Sequence, residues 1–231
     1  MTNVEKTIRE TVLPLLELRV SAYNLLRWAF LQEPSKEFLQ SLSESVLQEF
    51  PFQDENTEIS QGVQDIINQL QQPDFLSEET YDRLHWDYTR MFIGPYELPA
   101  PPWESAYLNE ERLLFQKETL AVRRAYLKYS LIAKEYGHEA DDHLGLELDF
   151  MYQLSLLAIQ KIHEEDYGGI VEILLDQQDF LDEHLLKWVP DFCQKTEQSA
   201  QTKFYQGMAK ILHGYLMIDR QAVAELISYE Y

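Results

Sequence analysis

Residues 138–150 read His-Glu-Ala-Asp-Asp-His-Leu-Gly-Leu-Glu-Leu-Asp-Phe and gather carboxylates and imidazoles in one short run. His143 and Glu147 are four apart and so share one helix face. Asp141 and Asp142 stand where that helix should begin, and a carboxylate there accepts hydrogen bonds from free backbone donors. One chemistry open to the group is hydrolysis, with His143 as general base oriented by Asp142. A base needs a nucleophile, and the chain has no Gly-x-Ser-x-Gly, no His-Glu-x-x-His and no phosphate-binding glycine loop. A second is metal binding. Glu135-x-x-His138 is half of the di-metal bundle pattern, but no second copy exists to complete it. A metal-dependent hydrolase built on Asp142, His143 and Glu147 is therefore the alternative rather than the leading reading. The third is recognition: clustered carboxylates suit the planar fork of arginine.

A second informative stretch precedes it. Residues 88–105 read Tyr-Thr-Arg-Met-Phe-Ile-Gly-Pro-Tyr-Glu-Leu-Pro-Ala-Pro-Pro-Trp-Glu-Ser, with Pro95, Pro99, Pro101 and Pro102 close together. Proline fixes φ, removes a donor and pushes its predecessor out of the helical region. Residues 93–105 are thus expected to form a stiff, non-helical strap. It bears or adjoins Tyr88, Met91, Phe92, Tyr96 and Trp103. Rings on a backbone with little freedom to lose make an economical binding surface.

These segments need elements to hold them. Apolar residues recur at helical spacing nearly throughout. Leu13 to Phe30 marks one helix, Phe38 to Phe50 another opened by Ser35, and Ile59 to Leu70 a third. A fourth starts at the N-cap Ser77 and runs to Phe92. Beyond the strap, Leu113–Tyr136 is expected to be helical and to stop at Gly137. A helix follows from Asp141–Asp142 to about residue 165, with Gly168-Gly169 as its break. Ile170–Lys187 comes next, Pro190 interrupts, and Thr202–Leu216 and Ala222–Ile227 close the chain. Strand-like alternation is missing. The expected fold is all-α: residues 1–231 as one compact multi-helix, bundle-like domain.

Nineteen Lys and Arg against forty Asp and Glu give a formal charge of −21. Such a chain repels nucleic acid and anionic lipid and attracts cationic partners. Cys193 is the single cysteine, which fits a reducing compartment. No basic, apolar secretory start and no membrane-length apolar run is present, so a cytoplasmic location without membrane insertion is expected.

Three blocks in order are similar to the TorD/DmsD family of redox-enzyme maturation chaperones: the strap, then Glu139-Ala-Asp-Asp-His-Leu-Gly-Leu-Glu-Leu-Asp-Phe-Met, then Phe180-Leu-Asp-Glu-His-Leu-Leu-Lys-Trp-Val-Pro-Asp-Phe. The strap resembles the DmsD branch most. The resemblance implies an all-α, non-enzymatic bacterial chaperone. Its partner would be the twin-arginine signal peptide of a DMSO reductase-like molybdoenzyme subunit, on the Tat pathway. That subunit would be held in the cytoplasm until cofactor insertion and export. It also implies binding residues at Tyr88, Met91, Phe92, Tyr96, Trp103, Asp142 and His143, to which the acid patch adds Glu104 and Glu147. Tyr88 and Tyr96 stand where DmsD relatives have tryptophan, and Glu104 and Gln116 where they have glycine. No bound cofactor or metal is expected, and either a monomer or a domain-swapped dimer fits. The expected contact surface is an apolar groove formed by the rings and Met91, beside carboxylates that receive the arginines.

Overall fold

The computed structural model describes residues 8–109, 115–132 and 139–229, and every regular element among them is helical. A π-helical turn at Ile8–Val12 leads into α1 (Leu13–Leu31), where Pro14 sits in the first turn and its missing N–H leaves no bond unmade. Leu16, Arg19, Tyr23, Leu26 and Phe30 fall on its buried face. Ser35 caps α2 (Lys36–Ser41) by accepting from the Phe38 amide at 3.2 Å, and the chain widens into a π turn at Leu42–Val46. Asn56 caps α3 (Thr57–Leu70), and Ser77 caps α4 (Glu78–Tyr88) as its position in the sequence indicates. A π turn at Thr89–Ile93 ends on Gly94, and after the strap come the short α5 (Ser105–Leu108) and α6 (Lys117–Lys128). Four long elements complete the chain: α7 (Leu144–His163), α8 (Tyr167–Phe180), α9 (Leu186–Ser199, entered by a π turn at Leu181–Leu185) and α10 (Lys203–Ser228).

Two helix pairs form the frame: α1 against α7, and α3 against α10. In the second pair Gly62 faces Gly207, and a Cβ on Gly62 would fall 2.5 Å from the Gly207 carbonyl oxygen. Only glycine permits that approach.

Several helix limits differ from the sequence expectation. The two closing helices are one. The polar stretch around Asp219 that suggests a gap turns inward, because Asp219 is fully buried against Arg19. The chain breaks at residues 164–166, not at Gly168-Gly169. Asp166 caps α8 by accepting from the Gly169 amide at 3.0 Å, so both glycines lie in the first turn. Pro190 lies inside α9, close behind the π turn, instead of interrupting the helix. The helix expected over 113–136 is observed as Lys117–Lys128 and ends where Ser130 adopts φ 57°. Leu113, Leu114 and residues 133–137 lie outside the described residues.

The core contains an ion pair. Arg19 donates to both Asp219 oxygens (2.6 and 3.1 Å) and to Gln177 Oε1 (2.6 Å); the Tyr23 hydroxyl donates to Asp219 at 2.6 Å. Gln177 passes its amide hydrogens to the Met151 carbonyl and the Ser155 hydroxyl. The network ties α1, α7, α8 and α10 together with no exposed member among Arg19, Gln177 and Asp219. Removing one partner leaves a buried charge uncompensated. Arg19→Leu is expected to lower the urea-unfolding free energy by about 3–5 kcal/mol, and the double variant Arg19→Leu/Asp219→Leu to recover much of that loss.

Candidate functional site at the strap and the start of α7

Gly94 has φ 108°, open to glycine and strained for other residues, and it turns the chain out of the π turn into the strap. The strap then lies antiparallel to the entry of α7. The Glu104 amide donates to the Asp142 carbonyl at 3.0 Å, and the Leu144 amide donates to the Pro102 carbonyl at 2.9 Å. Prolines leave the strap few donors, so these two bonds set its register.

The helix cap is His143 rather than Asp141 or Asp142. Its Nδ1 accepts from the Gly145 amide at 3.1 Å. Burial holds its pKa below the usual imidazole value, with Glu139 and Asp142 opposing. A cap that accepts through Nδ1 is the neutral ring. Asp142 is fully buried and divides its carboxylate between the Ser105 amide (2.9 Å) and the Thr119 hydroxyl (2.7 Å). It thereby fastens α5 and α6 to α7. Asp141 pairs with Arg123 at 2.6 Å, and its carbonyl accepts from the Tyr126 hydroxyl.

Glu104 and Glu147 are buried together. Glu104 meets His184 Nδ1 at 2.9 Å, and Glu147 Oε2 accepts from the Trp188 indole at 3.1 Å. Glu147 Oε1 has no donor, yet Glu147 lies within hydrogen-bonding reach of Glu104. Burial first, then the Glu104 and Asp142 carboxylates, push the Glu147 pKa well above the ordinary value. Burial and the neighbouring carboxylates thus favour the protonated form of Glu147.

The apolar half is arranged differently from the groove expected. Tyr88, Met91 and Phe92 are core residues. The Phe92 ring lies 5.9 Å from Phe192, 5.5 Å from Tyr205 and 6.4 Å from Phe30 between centroids. Burying such side chains is worth about 1.5–3 kcal/mol each, and the folded chain takes that gain itself. Tyr96 is 87% exposed and stands clear of the cluster, with Ile93 also outward at 66%. Trp103 is half-buried; its indole donates to Glu139 at 2.8 Å and its ring edge meets His143. The carboxylates expected to face arginines (Glu104, Asp142, Glu147) are occupied internally, and the half-buried Glu139 is the acid beside Trp103. Arg90 pairs with Asp87 and donates to the Ser199 carbonyl, tying the end of α4 to the end of α9. The Asp142 carboxylate and His143 Nδ1 are thus engaged within the fold, and no group of three His, Cys, Asp or Glu among the described residues is placed to hold a metal. Glu135 and His138 lie outside those residues.

Sequence reasoning did not assign Glu139, Thr119 or Trp188 to this junction. Glu139 stood in the acidic run, and Trp188 in the third block with His184; nothing local marked Thr119.

The profile of the nitrate reductase delta subunit family matches residues 56–194, more than half of the chain. The chain belongs to this family, the group of the TorD and DmsD chaperones. The chaperone protein TorD of Aliivibrio salmonicida is 27% identical over 90% of this chain and 95% of its own length. A probable Tat proofreading chaperone DmsD of Haemophilus influenzae is 34% identical over 53% of each chain. The crystal structure of a putative redox enzyme maturation protein from Archaeoglobus fulgidus is similar over 88% of this chain and 93% of its own, at 21% identity and a TM-score of 0.48. The family and these chaperone relatives support a chaperone role for this protein. Among the described residues no helix is long and apolar enough to cross a membrane.

The raised pKa of Glu147 has a measurable consequence. Its folded pKa is raised, so the stabilisation is complete below the unfolded value of 4.5 and is lost as pH rises toward the folded value. As pH rises above 4.5, the wild-type chain should lose more urea stability than Glu147→Gln, which is neutral at every pH.

Proposed function

We propose that the chain binds the twin-arginine signal peptide of a molybdopterin oxidoreductase catalytic subunit in the cytoplasm and holds that subunit until its cofactor is inserted and export can begin. The observation that carries this reading is the backbone pairing of the strap with the entry of α7. It brings a surface ring, Trp103, and a nearby carboxylate, Glu139, onto one rigid ledge. Tyr96 and Trp103 are the nominated residues a peptide reaches first. Tyr88, Met91, Phe92, Glu104, Asp142, His143 and Glu147 are the layer beneath, which sets the position of the ledge. The net charge of −21 steers a leader carrying paired arginines toward the protein.

Magnitudes divide the labour. An exposed ion pair contributes about 0.2–1 kcal/mol, whereas a buried ring contributes about 1.5–3 kcal/mol. The rings therefore supply most of the affinity, and the arginines set register and speed of encounter. In titration calorimetry with a synthetic twin-arginine leader, Trp103→Ala is expected to weaken binding about ten- to a hundredfold. Glu139→Gln is expected to weaken it by less than about fivefold. The opposite ranking would overturn this division.

A further inference from the structure

The outward face of α6 differs from the rest of the surface. Fourteen large apolar side chains are exposed among the described residues, and four of them, Phe115, Leu120, Leu127 and Ile132, fall within residues 115–132. Leu120 and Leu127 are 49% and 52% exposed and stand seven apart, so they form one row along the helix. Lys117 and Arg124, both exposed, lie three before and four after Leu120 and edge that row. Arg123 borders its other side. The opposite face of α6 buries Thr119, Val122 and Tyr126. Thr119, Arg123 and Tyr126 bind Asp142 and Asp141, which holds α6 to the entry of α7 and leaves the leucine row toward solvent.

Charge selects the occupant. The chain carries forty Asp and Glu against nineteen Lys and Arg, yet residues 115–132 contain a single acid, Glu118, and it is buried. Arg124 spends Nε on the Leu120 carbonyl at 3.0 Å and pairs with no carboxylate among the described residues. Lys117 is 3.7 Å from Glu118, with its own side chain 88% exposed. Acids return only on the far side of the cations. There Glu172 and Asp176 hold Lys128, and Asp179 and Glu183 line a cleft with Arg124 that neither Leu120 nor Leu127 borders. A leucine row edged by cations fits a helix whose own apolar ridge is edged by acids.

Other occupants fit less well. A membrane plane would face the acids of α8 together with the row, and a second copy brings another net charge of −21. A single helix is about 10–12 Å wide, close to one Debye length, so it meets the row and its cations and little else. We infer that the outward face of α6, along Leu120 and Leu127 with Lys117 and Arg124, docks an acidic amphipathic helix of a partner protein. This goes beyond the leader reading and does not rest on it, because a leader with paired arginines carries the opposite charge. Thr119, on the same helix, holds Asp142 at 2.7 Å, so a docked helix would lie one side chain away from the strap junction.

The test uses the full chain and a synthetic peptide of about four helical turns, with leucine at the a and d positions of its heptads and glutamate beside them. Fluorescence anisotropy reads its affinity. Leu120→Ser/Leu127→Ser and, separately, Arg124→Glu are expected to weaken binding at least about tenfold, with each fold checked by its urea midpoint. Benzoylphenylalanine in place of Leu120 is expected to crosslink to the peptide, and the same probe in place of Met217, exposed on α10, to stay silent. That pair of results supports the face even if the double variant does not fold. A wild-type chain that leaves the glutamate peptide unbound, or a folded double variant that binds it as tightly as wild type, overturns the assignment. So does binding of wild type, but not of Arg124→Glu, to phosphatidylglycerol vesicles in place of the peptide, which would give the face to a membrane surface. If the double variant converts a dimer to a monomer in sedimentation without altering peptide affinity, the face belongs to a second copy and the assignment falls.

Discussion

Asp142 occupies a fully buried position and spends both carboxylate oxygens on neutral donors, an amide and a hydroxyl. Burying a carboxylate is costly unless its hydrogen bonds are made, so Ser105 and Thr119 have little freedom to move away from it. That constraint fixes the end of the strap, the short helix after it and α6 against the entry of α7. The neighbouring features follow from it. The Asp142 carbonyl takes the strap amide of Glu104. Glu104 is thereby carried inward to Glu147 and His184. Trp103, the residue between Pro102 and Glu104, is left at the rim against His143 and Glu139.

The acids of this chain serve two purposes that composition cannot separate. Inside, Asp142, Glu147 and Asp219 join elements through hydrogen bonds made where water is excluded, and there a lost partner costs most. Outside, unburied acids along residues 36–55 and on α1 create a field and contribute little individually. A cationic partner would meet the outer set first. The inner set would feel it only through the rigidity it gives the ledge. The rings divide in the same way: Phe92 works inside, whereas Tyr96, Trp28 and Trp103 have surface left to give to a partner.

Much of the architecture was legible along the chain. Helical periodicity and the caps at Ser35 and Ser77 are local properties, set within a few residues by side-chain spacing and backbone donors. The non-helical strap followed from its prolines for the same reason. The errors had a common origin. Asp219 looked like a gap in a helix because its partner, Arg19, lies two hundred residues away in sequence. Gly168-Gly169 looked like a break because glycines are poor helix formers, but Asp166 accepts from the Gly169 amide and starts α8 ahead of them. In each case a hydrogen bond to a carboxylate, distant in one and local in the other, outweighed a modest residue propensity.

The residues at the strap and at 138–150 could be named from their types and order, since rigid prolines, rings and paired acids carry their chemistry wherever they are placed. Which way each side chain faces was settled by packing alone. Periodicity assigns Tyr88, Met91 and Phe92 to one apolar face, but not whether that face meets a partner or α1, α9 and α10. Likewise a carboxylate reads the same in sequence whether it ends in solvent or, as with Glu147, in the core, where burial raises its pKa. Burial and long-range partners are properties of the whole fold, and they decide both the charge a group carries and the surface it leaves for another molecule.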